Sequence, residues 1–178
     1  MIRGERIYLS ALDPANAEIA LAWFSDPEVR EWLLNGHVPM TLASEHAFYA
    51  RMEASDSDYV FEIHLPENDR YIGNCGIHGV KLPERDGEVG ILIGEKDCWN
   101  QGYGRDALRT IMRFGFDTLG MHRLQIQSVA DNERGMHLYP SLGFKEVGRR
   151  REAQYLHGQF RDDVMWDILE NEWRALRD

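Results

Sequence analysis

Cysteine is nearly absent from this chain of 178 residues, which has only Cys75 and Cys98. The two do not have the spacing of zinc ligands, and they are too few for a disulfide framework. No apolar run approaches the roughly 20 residues that span a bilayer. Charged residues also run through the N-terminal segment, where a signal peptide would have an apolar centre. These absences argue against a disulfide-stapled secreted domain and predict a cytoplasmic protein.

Basic residues are in short supply as well. Lys and Arg number 20 against 30 Asp and Glu, so the formal net charge is −10. Such a balance argues against nucleic-acid or membrane partners and favours cationic ones such as amines or basic protein tails, although it also serves solubility. Without repeats or low-complexity tracts, residues 1–178 are predicted to form one domain, which buries about 70% of the surface that its unfolded chain exposes.

The first half of the chain has the pattern of a mixed α+β domain. The segment RIYLSAL predicts a strand, and Asp13 followed by Pro14 is a helix N-cap with proline at the first helical position. Helical pieces then run to about residue 54. Three stretches rich in β-branched and aromatic residues predict an antiparallel meander: DYVFEIHLP, RYIGNCGIHGV and GEVGILIG.

The second half begins with CWNQGYGRDAL, a glycine-rich turn that leads into an amphipathic helix ending at Gly120. A strand, a short helix ending at Gly143 and two final strands joined by a turn at His157 and Gly158 complete the pattern, followed by a short tail. The segments concerned are RLQIQSVA, NERGMHLYPSL and FKEVGRRREAQYLHGQFRDDVMWDILENEW.

The glycine turn has several interpretations when it is taken alone. Residues 102–107 satisfy the dinucleotide pattern G-x-G-x-x-G/A, but EKDCWNQ separates the turn from the preceding strand and antiparallel strands come before it. A Walker A loop would need Lys and Ser/Thr where Arg105 and Asp106 stand. Glycine turns that enter helices bind phosphate through exposed N–H groups and the helix dipole. A turn needed only for packing remains the other alternative.

Two motifs in the right order resemble the GCN5-related N-acetyltransferases (GNAT). The strand GEVGILIG and the loop WNQGYGRDA are followed by DNERGMHLYPSLGF, which matches the family pattern N-x-x-A-x-x-L-Y-x-x-x-G-F except that Gly135 replaces the usual alanine. The matching residues are Asn132, Leu138, Tyr139, Gly143 and Phe144. Both ends of the chain further resemble the branch that contains ribosomal-protein alanine and serine acetyltransferases and spermidine acetyltransferase.

The resemblance implies a three-layer α/β/α fold of the α+β class. Its central sheet would be mostly antiparallel, with six to seven strands, a splayed central pair and flanking helices. The implied activity is direct acetyl transfer from acetyl-CoA to a primary amine in a ternary complex, without an acyl-enzyme or a metal. The acceptor would be a protein N-terminus, a polyamine or another small amine, and a homodimer is compatible with it. The alternative is a non-catalytic acyl-CoA-binding or regulatory module.

The resemblance also assigns cofactor contacts. The pantetheine arm would pair like an extra strand with Ile91, Leu92 and Ile93, and the side chain of Asn132 would hold the cofactor. The diphosphate would lie on the loop residues Trp99, Asn100, Gln101, Gly102, Tyr103, Gly104 and Arg105. Trp99 stands where the family usually has Gln or Arg, a departure of small effect if main-chain N–H groups bind the diphosphate.

Catalysis requires a base, because an alkyl amine with a pKa of about 10.4 is mostly protonated at pH 7 and must lose a proton to become nucleophilic. Glu88 stands where histone acetyltransferases of this family carry their catalytic glutamate, so it is the predicted base, directly or through a water. Other candidates are Glu62, His78 and Glu152. Tyr139 matches the family's acid, with Ser141 as a weaker donor.

The thioester carbonyl also needs a donor, and a main-chain N–H of residues 91–93 serves if the neighbouring strand diverges there. The acceptor is left open, since specificity is expected to come from the variable helices around residues 14–54 and from the last hairpin.

Overall fold

A computed structural model describes residues 1–33 and 39–176. Residues 34–38, within the segment predicted to be helical, and residues 177–178 lie outside the described part. Eight strands form one sheet in the order β1-β2-β3-β4-β5-β6-β8-β7. They are β1 (Ile2–Arg3), β2 (Tyr8–Ala11), β3 (Tyr59–Leu65), β4 (Arg70–Lys81), β5 (Asp86–Ile93), β6 (Arg123–Val129), β7 (Lys145–Leu156) and β8 (Gln159–Leu169).

The predicted meander is confirmed in β3, β4 and β5, and so is the final hairpin of β7 and β8. The prediction of six to seven strands is wrong by one, because the two residues of β1 pair with β2 at the edge of the sheet. His157 and Gly158 have φ values of 50° and 77°, the left-handed conformation that a tight hairpin turn requires.

Six α-helices flank the sheet in the described part of the chain. They are α1 (Ala17–Ser25), α2 (Pro27–Arg30), α3 (Leu42–Glu53), α4 (Tyr103–Arg113), α5 (Glu133–Ser141) and α6 (Glu170–Ala175). As predicted, Asp13 accepts a hydrogen bond from the N–H of Ala15 at the start of a 3-10 turn that precedes α1. None of the described helices is long and apolar enough to cross a membrane.

The C-terminal segment corrects the prediction of a short tail. It forms α6, whose Trp173 is buried and stacks on Phe116 with 5.7 Å between ring centroids. The N–H of Leu169 donates to Glu172 at 2.9 Å and closes the first turn of this helix. Burial of one tryptophan therefore orders a segment that its periodicity alone left unassigned.

The helices cover both faces of the sheet. Ile91 and Ile93 pack into the larger core with α4, whereas Leu92 packs into a smaller cluster with Trp23 and Tyr71. Successive residues of a strand point to opposite faces, so the two clusters lie on opposite sides of β5. The predicted three-layer arrangement is confirmed.

The centre of the sheet opens where the one parallel pair among the described strands ends. β5 and β6 pair at three positions, of which the last joins Glu88 to Gln125. Both strands continue beyond that point, β5 to Ile93 and β6 to Val129, without pairing to each other. The predicted splay is confirmed, and a wedge lies between the two strands.

Candidate functional site

A cavity of about 950 Å³ occupies the wedge and extends along α5 to the segment around α2. It brings together eleven of the thirteen residues predicted for the site. These are Glu88, Ile91, Leu92, Ile93, Trp99, Asn100, Gly102, Gly104, Arg105, Asn132 and Tyr139.

The start of α4 forms one end of the cavity. Gly102 has a φ of 87°, and no side chain caps the helix, so the N–H groups of its first turn face outward without a side-chain partner. A Cβ at Gly104 would meet only Ile93 Cγ1 at 3.7 Å and Ile91 Cδ1 at 3.9 Å, which are ordinary contacts. The protein's own packing therefore does not require glycine there. A bare, uncapped helix start fits a phosphate group.

Trp99 takes a structural role in the loop. Its indole Nε1 donates to the carbonyl oxygen of Ile93 at 2.8 Å, which ties the loop to the end of β5. The guanidinium of Arg134, on α5, lies 4.3 Å from the centre of the Trp99 ring. Arg134 and Arg105 both line the cavity. The positive charge that the loop lacks at Trp99 is thus supplied from α5, a contribution that the sequence interpretation missed.

Gln101 and Tyr103 are the two predicted residues outside the cavity lining. The guanidinium of Arg6 lies 4.4 Å from the centre of the Tyr103 ring and donates to the carbonyl oxygen of Gln101. The Gln101 amide donates to the carbonyl oxygen of Asp97. Their side chains fasten the loop to its surroundings and leave only main-chain groups to serve a ligand.

Asp106 does not face the cavity, although it follows Arg105 in the first turn of α4. Its carboxylate accepts hydrogen bonds from the N–H groups of Glu5, Arg6 and Ile7 at 3.1, 2.7 and 3.1 Å. This carboxylate binds the N-terminal segment to α4, so its charge is compensated away from the phosphate-sized end of the cavity.

The main chain of β5 alternates between its neighbours. The N–H of Gly94 donates to Ile72 of β4 at 2.9 Å, and a Cβ on Gly73 would lie 2.1 Å from the oxygen of Leu92. Leu92 therefore directs its main-chain groups to β4, and those of Ile91 and Ile93 point into the wedge. Leu92 contributes its side chain to the lining. The predicted extra-strand pairing is available at Ile91 and at the N–H of Ile93, whose carbonyl oxygen already accepts from Trp99.

Tyr139 closes the wedge from α5. Its ring is 6% exposed and packs edge-to-face on Phe144 and Trp166. Burial raises the pKa of its hydroxyl to about 12, so the phenol keeps its proton at neutral pH. A Cβ at Gly135 would lie 3.1 Å from Tyr139 Cε2 and from Asn132 Nδ2. Glycine at position 135, where the family usually has alanine, therefore leaves space for the Tyr139 ring.

Asn132 begins α5 and has a free amide end. Its Oδ1 accepts from the N–H of Gly135 at 3.1 Å, which caps the helix. The side chain also lines the cavity, so Nδ2 is placed to donate to a ligand there. Local capping and ligand contact use different atoms of the same amide.

Glu88 lies at the point where β5 and β6 part. Its Oε1 accepts from Gln127 Nε2 at 2.8 Å, and Gln127 Oε1 in turn accepts from the guanidinium of Arg150 on β7. This relay fixes a carboxylate at the cavity wall. Gln127 and its neighbour Ser128 also line the cavity, and the sequence interpretation assigned them no role.

The other candidates for acid and base are distributed differently. Glu62 is 1% exposed, and its carboxylate binds Asp13, Asn16 and His64 outside the cavity lining. Glu152 is exposed on β7, and Ser141 donates to the carbonyl of Leu138. His78 lies on β4 directly opposite Glu88 in the sheet, and it too is outside the cavity lining.

Thiol and metal chemistry find little support. Cys75 and Cys98 are free and buried, and burial raises the pKa of both thiols, which disfavours the reactive thiolate. Within residues 1–33 and 39–176, no group of three or more His, Cys, Asp or Glu side chains is arranged to hold a metal ion.

The wall opposite the loop comes from the predicted variable region. Phe24, Glu28, Arg30, Trp32, Leu33 and Met40 line it, and Glu133 and His137 of α5 approach the same cavity. In the described chain, the hairpin of β7 and β8 contributes no lining residue. The expectation that this hairpin shapes the acceptor site therefore finds no support in the cavity wall, whereas the helical region does contribute.

Comparisons with known proteins agree with this geometry. The family described as Acetyltransferase (GNAT) domain matches residues 6–145. The chain is 25% identical over 173 residues to an uncharacterized N-acetyltransferase, p20, of Bacillus licheniformis, covering 95% of this chain and 96% of the relative. It is 24% identical over 176 residues to the spermidine N(1)-acetyltransferase of Escherichia coli strain K12, covering 94% and 82%.

A solved structure shares the fold. Spermidine N-acetyltransferase from Vibrio cholerae, in complex with CoA and spermine, superimposes with a TM-score of 0.88 at 18% identity, covering 95% of this chain and 98% of that chain.

Proposed function

This chain belongs to the GNAT acetyltransferase domain family and is an acetyltransferase that uses acetyl-CoA. From that premise, we propose that the residues around the wedge transfer the acetyl group to a cationic amine. One observation carries the proposal. An uncapped helix start, two diverging strands and a buried phenol line a single cavity of about 950 Å³. Binding, carbonyl polarisation and proton donation are therefore available along one continuous surface.

The loop and α5 form the donor side. The N–H groups at the start of α4 would bind the diphosphate, with Arg105 and Arg134 adding positive charge. Main-chain groups of Ile91 and Ile93 would pair with the amide-containing arm, and Asn132 Nδ2 would donate to it. Acetyl-CoA supplies an activated acetyl thioester, while every contact named here comes from this chain.

The wedge provides the groups for transfer. A main-chain N–H of β5 that faces the gap would polarise the thioester carbonyl, because no β6 strand pairs with it there. Tyr139 would donate a proton to the departing thiolate, because its pKa of about 12 keeps the phenol protonated at neutral pH. Direct attack by the amine then needs no acyl-enzyme, in keeping with the unreactive buried thiols.

Among the described residues, the acceptor side carries two carboxylates without a basic partner, Glu88 and Glu133, which line the cavity. Glu28 and Arg30 line the same wall, but Glu28 is paired with Lys96 at 3.0 Å. The whole chain has a formal net charge of −10. A cationic amine is therefore attracted both to the protein and to this wall. Because relatives of this chain include spermidine N(1)-acetyltransferase, we assign the acceptor to the polyamine class, with a protein N-terminus as the competing acceptor.

The proposal extends to the cellular location of the enzyme and to its oligomeric state. We place the enzyme in the cytoplasm, in the branch that includes ribosomal-protein acetyltransferases, as one domain over residues 1–178 that is able to form a homodimer. Gel filtration with light scattering tests the homodimer.

Calorimetric titration with acetyl-CoA tests the donor side. Saturable binding at micromolar to low millimolar cofactor is expected, with CoA competing for the same site. Folded protein that shows no heat of binding up to millimolar acetyl-CoA would contradict the proposal. Binding without thiol release in any amine assay would instead favour the non-catalytic acyl-CoA-binding module.

A further inference from the structure

An imidazole and a carboxylate form a hydrogen-bonded pair next to the wedge. His78 Nδ1 lies 3.1 Å from Asp58 Oδ1. Asp58 is fixed in turn by the hydroxyls of Ser55 and Ser57 at 2.7 and 3.2 Å and by the N–H of Gly79 at 3.3 Å. Because the Asp58 carboxylate accepts a hydrogen bond from Nδ1, the neutral imidazole carries its proton on Nδ1. Its Nε2 is then a hydrogen-bond acceptor.

The environment of Asp58 keeps it ionised. Burial opposes its charge, but the hydrogen bonds from Ser55, Gly79 and His78 outweigh burial and hold its pKa below the ordinary value. An ionised carboxylate accepts the Nδ1 proton and stabilises an imidazolium if one forms.

The other ring nitrogen lies close to a residue of the cavity wall, although His78 itself is not among the lining residues. A Cβ built on Gly90 would be 3.4 Å from His78 Nε2 and 3.5 Å from its Cδ2. Gly90 lines the cavity and follows Glu88, the last residue of β5 that pairs with β6. These are ordinary contact distances, so the imidazole lies alongside Gly90, two residues beyond the point where the two strands separate.

Two possible bases therefore meet at one place, since His78 is directly opposite Glu88. A carboxylate ordinarily has a pKa about six units below that of an alkyl ammonium, and an imidazole only about four units below. A base works best when its affinity for protons lies near the working pH. The imidazole suits proton removal, and the carboxylate, held by Gln127, suits binding of the cation.

We propose that His78 is the catalytic base that takes the proton of the acceptor amine, with Asp58 as its positioning residue and Glu88 as the anchor of the ammonium group. This assignment rests on the proposed amine acetylation. His78 Nε2 first takes one proton of the acceptor ammonium, and the freed lone pair of the nitrogen then forms the C–N bond at the thioester carbonyl. The C–S bond breaks, the sulfur leaves with the proton of Tyr139, and the tyrosinate regains a proton from the newly acylated nitrogen. The imidazole side chain is 39% exposed, so it returns its proton to solvent.

The charged groups around the imidazole are few. Asp58 faces it from the segment before β3, and Glu88 faces it from β5. The guanidinium of Arg150, on β7, contacts Gln127, and Gln127 in turn contacts Glu88. Gln127 therefore lies between this positive charge and the imidazole. Both near neighbours are acidic, so they stabilise the imidazolium that proton transfer creates.

Profiles of kcat/KM against pH with spermidine test the assignment. The wild-type profile should rise on the acid side and level off once the catalytic base is unprotonated. His78→Gln should lower kcat/KM about 100-fold at pH 7.5. The profile of His78→Gln should keep rising to about pH 10, because it follows the fraction of free amine.

Glu88→Gln should keep the wild-type profile shape and raise KM for spermidine. Asp58→Asn should lower kcat about tenfold.

The controls separate the two proposals. His46→Gln, at an exposed histidine of α3, should match wild type, and acetyl-CoA affinity measured by calorimetry should be unchanged in His78→Gln. If His78→Gln keeps the wild-type plateau, or Glu88→Gln loses it, His78 is not the base, although amine acetylation stands. If the wild-type protein acetylates no amine, the proposed function fails together with this assignment.

Discussion

At Tyr139, the packing of a single ring sets the protonation state of the phenol that we propose as the proton donor. Phe144 and Trp166 hold the ring, and Gly135 leaves the space that it occupies. The resulting burial raises the pKa of Tyr139 to about 12. The phenol is protonated below that pH and loses its proton only as the pH rises through it, so Tyr139 remains a competent donor across the neutral and mildly alkaline range.

Replacing Tyr139 by Phe should therefore remove a proton donor and little else. We expect kcat to fall about 100-fold, as for the loss of a general acid, with acetyl-CoA affinity within about twofold of wild type. The wild-type rate should also show no alkaline decline up to about pH 10, because the phenol remains protonated there. Thiol release measured over pH 6–10 checks both. Tyr155→Phe, at an exposed tyrosine of β7, is the matched control. An unchanged kcat in Tyr139→Phe would assign the acid elsewhere.

Arg134 is the residue that compensates for Trp99. Replacing it by Met keeps an apolar stem over the indole ring but removes the charge. We expect KM for acetyl-CoA to rise about tenfold with kcat nearly unchanged, since one charge-assisted contact is lost. Steady-state kinetics check this, with Arg109→Met as control, because Arg109 lies on α4 outside the cavity lining. An equal response of both variants would show that Arg134 contributes only general charge.

At the scale of elements, the site depends on two places where regular structure is interrupted. β5 loses its partner after Glu88, which exposes main-chain groups of Ile91 and Ile93. α4 begins without a side-chain cap. Asp106 stabilises that helix from its inner side by accepting three N–H groups of residues 5–7. The first turn is thereby held in place while its outer N–H groups stay available to a phosphate.

A substitution at Gly104 should affect the stability of the fold and the binding of the ligand differently. Alanine at this position fits the protein's own packing and has a better helix propensity by about 0.5–1 kcal/mol, so Gly104→Ala should be as stable as wild type or slightly more so. The added methyl group would stand on the surface assigned to the diphosphate, and we expect acetyl-CoA to bind at least about tenfold more weakly.

Urea denaturation and calorimetry on Gly104→Ala measure the two effects independently. Ala47→Val, at an exposed position of α3, is the control for a small added side chain that affects only the fold. Wild-type affinity in a stable Gly104→Ala variant would refute the placement of the diphosphate on this turn.

The order of elements was predictable from the sequence because β-branched stretches and glycine stops mark it. The strand β1 was not, since its two residues pair only through the register of β2. The helix α6 was missed because its order depends on Trp173 reaching Phe116, far away in the chain. Long-range packing of this kind leaves no local periodicity.

The site was predictable to the extent that motifs carry it. The loop and the helix with Asn132 and Tyr139 have fixed spacing and fall on the cavity. Arg134 and the pair of Asp58 and His78 have no such spacing. Asp58 and His78 are brought together by the pairing of β3 with β4, so their relation exists only in the folded sheet.

For the whole molecule, net charge favours the cationic acceptor proposed above. Thirty acidic residues against 20 basic ones attract cationic solutes, an effect that weakens as salt screens it. The carboxylates of Glu88 and Glu133 add to that attraction at the cavity. KM for a polyamine should therefore rise with ionic strength more steeply than KM for a neutral-tailed amine.

Mass spectrometry of spermidine incubated with the protein and acetyl-CoA tests the central claim most directly. Peptides that begin with Ser or Ala, incubated in parallel, distinguish a protein N-terminus from a polyamine as acceptor. We predict a singly acetylated spermidine and an equal amount of free CoA, with both formed about 100-fold more slowly by Tyr139→Phe. Acetyl-CoA that binds to folded protein but leaves spermidine, the peptides and other primary amines unmodified would contradict acetyl transfer to an amine.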